Sequence, residues 1–377
     1  MADIVINGTV APQYEPLVPV FARVLGEAPE AGAALCVYHD GVAVADLYGG
    51  PTYGPDTRQL LFSVSKALTA IAVQRACQDG LVDLDAPIYD VWPEFDRPDT
   101  RAITTRVVLG HRAGLPAVRR KLRLEDIVNG RLEHELARQE PFWEPDTDHG
   151  YHALTIGTLL DGILRRACGR SVADIADESI AGPLDLRLGF GVGGPHAADV
   201  APLQLNDPVR WTGPSLDAAA DELNAAAVIA SGDINHALSY GVLSDTPIPA
   251  ANAVGRARDL AKMLAATMGR IDGTRVIDEK RLMDMCTTLS YGHDRVLGET
   301  THFGAGVHLP SPRLGYFGPG SFGHDGYGGS IAGADTTTTT SFAFITDLVP
   351  RVGGATCGAM ALTATLRQCL DDLQAHA

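Results

Sequence analysis

Strand-forming sequence is concentrated at the two ends of this 377-residue chain. Near the N-terminus, two apolar runs at 33–38 and 42–48 flank Asp40-Gly41, and an Asp-Gly pair between such runs is typical of a β-hairpin. Strand-like sequence returns near the C-terminus in three runs, at 302–309, 322–329 and 341–346. Because strands bury their apolar faces only within a packed sheet, this distribution predicts one antiparallel sheet assembled from both ends of the chain.

The sequence between these ends has the pattern of helices and loops. Apolar residues recur at helical spacing, most clearly in 155–169, and Gly and Pro separate the segments. Predicted helices lie at 17–25, 62–78, 104–109, 123–139, 155–169, 171–181, 253–268, 278–287 and 355–374. We therefore predict an α/β (α+β) fold with a discontinuous sheet domain, residues 1–80 and 246–377, flanked by helices. A mainly helical domain, residues 81–245, is inserted into it, and the cleft between the two is the expected active site.

The composition argues against several classes of function. A net charge of −16 disfavours a nucleic-acid groove, which needs a basic face. The N-terminus lacks the pattern of a secretory signal and no apolar run reaches the length of a membrane span, so we expect a cytoplasmic protein without a membrane partner. Six scattered cysteines without a C-x-x-C pair predict reduced thiols, and the histidines lack metal-ligand spacing, so neither a metal nor another cofactor is expected. The oligomeric state stays open, a homo-oligomer included.

Ser63 and Lys66 are the first residues that point to catalysis. They stand three positions apart at the start of the predicted helix 62–78, and side chains at i and i+3 share one helix face. A serine hydroxyl becomes an effective nucleophile when a neighbouring base takes its proton, and a lysine can do so where burial favours its neutral form. An S-x-x-K pair arises by chance about once or twice in a chain of this length, so the pair needs support from other segments.

Further motifs supply that support, because their order along the chain resembles that of a known family. They are Leu109-Gly110-His111-Arg112-Ala113-Gly114-Leu115, Trp143-Glu144-Pro145-Asp146-Thr147, Gly150-Tyr151-His152-Ala153, the segment 251–261, and Gly323-His324-Asp325-Gly326-Tyr327-Gly328-Gly329. With Ser63-Val64-Ser65-Lys66 and the opening segment 15–50, the chain resembles the serine β-lactamase and penicillin-binding-protein superfamily over nearly its whole length. It is most similar to the class C-like branch, among the family VIII carboxylesterases.

The resemblance implies a β-lactamase/transpeptidase-like fold and a set of catalytic roles. Ser63 would attack a carbonyl and become acylated, Lys66 would hold and deprotonate it, and Tyr151 would share the proton transfer. A phenol with a reference pKa near about 10 would serve as a base only where cations such as Lys66 lower that pKa. The backbone N–H groups of Ser63 and Tyr327 would form the oxyanion hole. The expected substrate contacts are His324, Asp325, Gly326, His152 and Ala153, and glycines around Tyr327 suit close approach of a ligand.

Two departures from the family pattern bear on the substrate. Ala153 stands where β-lactam-acting members carry asparagine, and it cannot hydrogen-bond a substrate amide. His324 replaces a lysine whose fixed charge would hold a substrate carboxylate, because histidine is neutral near pH 7 unless its pKa is shifted. Asp325 either keeps His324 protonated or faces solvent; the sequence does not decide.

We therefore predict a serine carboxylesterase that acts on small to medium carboxylic esters through an acyl-enzyme. The alternatives are an acyltransferase on the same scaffold, a β-lactamase or D-amino-acid peptidase, and a non-catalytic binding protein that kept the fold. The natural ester and its stereochemistry cannot be read from the sequence. Candidate residues for an acyl pocket are Phe190, Trp211 and Tyr240, although core packing is the more common role for any one of them.

Overall fold

A computed structural model describes residues 5–120, 122, 126, 129–191, 200–205, 246–350 and 354–376. The strands, in chain order, are β1 Ile6–Val10, β2 Ala33–His39, β3 Val42–Gly49, β4 Gln59–Leu60, β5 Gly189–Phe190, β6 Gln204–Leu205, β7 Ala253–Gly255, β8 Ser290–His293, β9 Thr300–Phe303, β10 Ser321–Asp325, β11 Ile331–Asp335, β12 Thr340–Thr346 and β13 Leu348–Val349. The α-helices of five residues or more are α1 Leu17–Glu27, α2 Ser65–Gln78, α3 Thr105–Leu109, α4 Arg131–Arg138, α5 Thr155–Cys168, α6 Val172–Ala176, α7 Ala257–Met268, α8 Glu279–Cys286 and α9 Cys357–Ala375.

The central sheet combines strands from both ends of the chain, as predicted. Its six strands run in the order β1-β3-β2-β12-β11-β10, and every neighbouring pair is antiparallel. β2 and β3 form the hairpin at Asp40-Gly41, where both turn residues have positive φ. β12 lies in the middle and is buried along its whole length, where hydroxyl residues flank the apolar run Phe342-Ala343-Phe344-Ile345. β10 lies at the edge of the sheet, next to the start of α2.

Helices cover both faces of this sheet. On one face α1 packs against α9, and Leu17, Phe21 and Leu362 meet the sheet residues Leu35 and Phe342 in a core without solvent exposure. On the other face α7 packs across β2, β11 and β12, while α2 contacts β10. α2 is buried on almost every side, which agrees with apolar or small residues around its whole circumference.

The segment between α2 and β7 consists of helices joined by long loops, with little strand, in its described part. α5 ends at Gly169, whose φ of 74° is the left-handed conformation expected for a helix C-cap. α6 begins with a capping box between Ser171 and Asp174 and continues as one π-helical turn, Asp177–Ala181. These helices pack on α2, which contacts the edge strand β10 as well, so the helices and part of the sheet share one core around α2.

The structure corrects several predicted boundaries. The helix predicted at 253–268 begins at Ala257, because Ala253–Gly255 is extended and pairs with β4 and β5 on either side. The run predicted as one strand at 302–309 ends at Phe303, since Gly306 turns the chain with a φ of 81°. β11 was not predicted, because its alanines and glycine have low strand propensity. Most of 123–128 in the helix predicted at 123–139 lies outside the described residues.

Two further predictions concern the chain as a whole. Among the helices that the structure describes, none combines the length and the apolar character that crossing a membrane requires. The six cysteines all lie within the described residues, and each is a free thiol.

Candidate active site

Ser63 lies at the junction of a short 3₁₀ turn, Phe62–Val64, and α2. The residue before it, Phe62, has a φ of +47°, a conformation that is costly for a residue with a side chain. The turn is held from outside by a 2.9 Å hydrogen bond from the Leu61 N–H to the Ala253 carbonyl on β7. Ser63 is partly exposed although the residues on either side of it are buried, so it is accessible to solvent.

Lys66 lies one turn further along α2, and its side chain is 1% exposed. Its Nζ lies 3.0 Å from Ser63 Oγ and donates a 2.9 Å hydrogen bond to the carbonyl of Ala250. Burial lowers the pKa of Lys66 to about 7, and the charge of Asp325 opposes this shift. At neutral pH a large fraction of Lys66 is therefore an uncharged amine, whose lone pair can accept the Ser63 proton.

Tyr151 comes from the loop before α5, far from Ser63 in sequence. Its hydroxyl donates a 2.8 Å hydrogen bond to Ser63 Oγ, and Lys66 Nζ lies 5.0 Å from the centre of its ring. Burial raises the pKa of Tyr151 above its ordinary value. Tyr151 would serve as a base only if this pKa were lowered, and here the loss of solvation outweighs the lowering effects of the Ser63 hydrogen bond and of Arg313. Tyr151 is a protonated phenol at rest and faces Ser63 as a hydrogen-bond donor.

The turn after β10 packs against the residues that precede Ser63. A Cβ at Gly326 would lie 2.5 Å from the Leu61 carbonyl oxygen, and one at Gly328 would lie 2.5 Å from the Phe62 ring. Tyr327, between these glycines, is partly exposed, and its ring centre is 5.9 Å from that of Phe62. Only glycine permits this approach, which brings the backbone of Tyr327 beside the turn that carries Ser63. The oxyanion hole at these two backbone N–H groups stays a prediction.

His324 and Asp325 are both buried, and Asp325 adopts neither of the two expected roles. The Asp325 carboxylate accepts hydrogen bonds of 3.1 and 2.7 Å from both terminal nitrogens of Arg313, whose Nε lies 2.8 Å from Glu299. Burial favours a higher pKa for Asp325, but the charge and hydrogen bonds of Arg313 outweigh it and hold the pKa well below its usual range. The role of Arg313 was not predicted, because nothing in its loop sequence distinguishes it from the other arginines.

The imidazole of His324 is neutral. Its Nδ1 donates a 2.6 Å hydrogen bond to the backbone carbonyl of Asp325, which leaves Nε2 as an acceptor. Burial, with a smaller contribution from Lys66, lowers the pKa of His324 to about 3. The position that would hold a cationic lysine in the family pattern therefore carries an uncharged ring.

His152 is also buried, and protein groups occupy both of its ring nitrogens. Nε2 accepts a 3.1 Å hydrogen bond from the Leu115 N–H, and Nδ1 donates one of 2.7 Å to the Gly150 carbonyl. The side chains of His152 and Asp325, which were predicted to contact substrate, are therefore already occupied by protein groups. Ala153 is buried beside His152 and offers no polar side-chain atom. Of the predicted acyl-pocket residues, Phe190 lies in β5, whereas Trp211 and Tyr240 lie outside the described residues.

One group in the described part of the chain has the donor atoms of a metal site. Those of His308, His324 and Asp325 all lie within 4.8 Å of one another. The group fits a metal poorly, because the Arg313 guanidinium already binds both carboxylate oxygens and would repel a second cation.

Known proteins share the sequence pattern and the fold of this chain. The sequence profile described as Beta-lactamase matches residues 21–363. The chain is 31% identical over 372 residues to the esterase/beta-lactamase LipL of Mycobacterium tuberculosis, which covers 90% of this chain and 82% of LipL. EstA of Arthrobacter nitroguajacolicus Rue61a is 28% identical with a TM-score of 0.86, covering 97% of this chain and 99% of EstA. A family VIII carboxylesterase is 26% identical with a TM-score of 0.85, and the match covers 97% of this chain and 100% of the carboxylesterase. The chain therefore belongs to the β-lactamase family and has the fold of its serine hydrolases.

Proposed function

We propose that the protein is a serine carboxylesterase that hydrolyses small to medium carboxylic esters through an acyl-enzyme on Ser63. One observation carries the proposal: Ser63 Oγ lies 3.0 Å from a lysine amine and 2.8 Å from a phenol hydroxyl. The first is a base with a pKa of about 7 and the second a protonated acid, so both protonation states needed for acyl transfer exist near neutral pH.

Acylation begins with neutral Lys66. Lys66 accepts the proton of the Ser63 hydroxyl while Oγ attacks the carbonyl carbon, and the carbonyl oxygen becomes an oxyanion. In the proposal this oxyanion meets the backbone N–H groups of Ser63 and Tyr327. When the C–O bond to the alcohol breaks, the Tyr151 phenol protonates the departing alkoxide, and Lys66 returns its proton to Tyr151.

Deacylation uses the same groups in the opposite direction. Water attacks the acyl carbon, its proton passes to Lys66 through Tyr151, and the second tetrahedral intermediate collapses. Ser63 Oγ takes back the proton as the carboxylic acid leaves. The sum is one ester and one water converted to one acid and one alcohol, with every enzyme group restored.

Three features near Ser63 favour esters over β-lactams. Ala153 has no group that could bind a side-chain amide, and neutral His324 supplies no charge for a substrate carboxylate. The nearby cation Arg313 is occupied by Asp325 and Glu299. Among the similar structures, one is named a carboxylesterase, which supports the same choice, whereas the name of LipL mentions both an esterase and a beta-lactamase.

The test measures ester turnover together with the mass of the intact protein. After brief exposure to p-nitrophenyl butyrate, or to a fluorophosphonate probe, we expect one adduct that peptide mapping places on Ser63. Ser63→Ala should abolish turnover and labelling while its melting temperature stays nearly unchanged. Turnover near wild type in Ser63→Ala would place the nucleophile elsewhere.

Ser65 offers a matched control two residues away. Its Oγ accepts a 2.9 Å hydrogen bond from the Ala253 N–H, so Ser65→Ala should lose about 1 kcal/mol of stability but retain turnover. Adding a primary alcohol to the assay separates hydrolysis from acyl transfer. A dominant transesterification product at low alcohol concentration would favour the acyltransferase alternative, and faster turnover of a penicillin than of the ester would favour a β-lactamase.

A further inference from the structure

The backbone around Tyr151 is held by three consecutive hydrogen bonds. The Gly150 N–H donates to the His111 carbonyl at 3.1 Å, the Tyr151 N–H to Asp294 Oδ1 at 3.0 Å, and the His152 N–H to His111 Nδ1 at 2.9 Å. Every amide of the segment 150–152 thus has a partner from a distant part of the chain. This degree of fixation is unusual for a loop, whose amides more often bond locally or to water.

Asp294 belongs to the turn between β8 and β9, and its side chain has no solvent exposure. Besides the Tyr151 N–H, Oδ1 accepts hydrogen bonds from the N–H groups of Val296 and Leu297, at 2.8 and 2.9 Å. Oδ2 accepts one from the Thr301 hydroxyl at 3.1 Å. Three donors fix the carboxylate on the hairpin, so it is a rigid anchor for the fourth donor, the Tyr151 N–H.

His111 is the second anchor. It follows α3 with a φ of +59° and is fully buried, with its ring centre 4.3 Å from that of Phe303. Burial holds the pKa of His111 well below its usual range, so the ring is neutral, and the His152 N–H that donates to Nδ1 assigns the ring proton to Nε2. The Phe303 ring also lies parallel to that of Tyr151, with 6.2 Å between ring centres. His111 therefore both holds the backbone beside Tyr151 and, together with Phe303, packs against the Tyr151 ring.

We infer that Asp294 and His111 are positioning residues for Tyr151, and that the turn between β8 and β9 sets where its phenol meets Ser63. The inference rests on the proposed role of Tyr151. Asp294 itself touches the Tyr151 backbone and not the reacting atoms. A shift of about 1 Å in a catalytic group can cost about 10²-fold in rate, so the anchors matter even without contact to substrate.

The test is a double-mutant cycle between Asp294 and Tyr151. Asp294→Ala should lower kcat for p-nitrophenyl butyrate about 10²-fold with little change in KM, because ground-state binding does not need the phenol position. In a Tyr151→Phe background the same substitution should cost less than about threefold, since no hydroxyl remains to misplace. Asp294→Asn keeps one acceptor oxygen for the three amides and should recover most of the loss.

Equal losses of kcat in both backgrounds would mean that Asp294 serves general stability, and an unchanged kcat in Asp294→Ala would equally overturn the inference. If Asp294→Ala does not fold, His111→Gly replaces it in the same double-mutant cycle. Glycine tolerates the positive φ at this position and removes Nδ1, the acceptor of the His152 N–H. If the wild type shows no Ser63-dependent turnover, the proposed function fails separately. Amide hydrogen exchange then decides: the inference requires faster exchange of segment 150–152 in Asp294→Ala but not in Asp294→Asn, and unchanged exchange overturns it.

Discussion

Lys66 and Asp325 are two fully buried ionisable side chains of one active site, and burial has opposite outcomes for them. Lys66 has a hydroxyl and a carbonyl as hydrogen-bond partners, and loss of solvation brings its pKa down to about 7. Asp325 loses solvation as well, but the bidentate contact with Arg313 holds its pKa well below its usual range. The first group can exchange a proton near neutral pH, whereas the second is a permanent ion.

The difference shows how neighbouring buried positions can hold both a base, Lys66, and a fixed charge, Asp325. Burial without an oppositely charged partner favours the neutral form of a group, so the pKa of Lys66 moves toward neutral pH. Burial beside an oppositely charged partner of matching geometry, as at Asp325, favours the charged form. The two groups also interact, since Asp325 raises the pKa of Lys66.

The largest effect should come from removing the base. Lys66→Met leaves an unbranched apolar side chain of similar length in the buried site and should lower kcat/KM for p-nitrophenyl butyrate by roughly 10³-fold, as loss of a general base does. Tyr151→Phe should cost a similar factor. Because the two residues serve one proton relay, the double variant should lose far less than the product of the two factors. A double variant that loses the full product would contradict a shared relay.

Unfolding measurements on the same variant check the state of Lys66. Between about pH 7 and pH 10, unfolded lysine binds a proton that the folded protein does not, so wild-type stability contains a contribution that rises with pH. The stability of Lys66→Met relative to wild type should therefore be higher at pH 7 than at pH 10. A difference that does not change with pH would show that the folded and unfolded pKa values are the same.

Breaking the fixed ion pair should give the next largest effect, on stability rather than on chemistry. Arg313→Met leaves Asp325 buried without its main partner and should destabilise the fold by about 3–5 kcal/mol in urea unfolding at pH 7. The pKa of Asp325 in the folded wild type lies below its unfolded value. The difference in unfolding free energy between wild type and Arg313→Met should therefore have its full size at neutral pH and shrink below about pH 4. Arg313→Met with Asp325→Leu should restore much of the loss, and no recovery would refute the unpaired charge as its cause.

The smallest effect should appear in the pH profile. The value of kcat/KM should rise with pH through the Lys66 pKa of about 7, because the neutral amine is the active form. Asp325→Asn removes a negative charge that raises this pKa, so the acidic limb should move to lower pH by a fraction of a unit. Movement to higher pH would mean that the interaction has the opposite sign.

The fold was largely predictable because its signals are local. The Asp40-Gly41 hairpin and the apolar pattern of α5 each lie within one short segment. β7 and β11 were not predicted, because extended chain there depends on neighbouring strands and not on residue preference. The motifs around Tyr151 and Tyr327 were identified through the family resemblance. The structure then showed that both lie beside Ser63.

The sequence by itself determined that Ser63 and Lys66 adjoin, since residues three apart on a helix share a face whatever surrounds them. It also determined that the two ends of the chain supply one sheet. Only the tertiary structure decided the protonation states of Lys66, Tyr151 and His324, and only it brought Arg313 to Asp325 and Asp294 to Tyr151. The surroundings that set these states come from distant parts of the chain: Lys66 Nζ meets the Ala250 carbonyl, 184 residues away, and the Tyr151 N–H meets Asp294, 143 residues away, and no local pattern records such contacts.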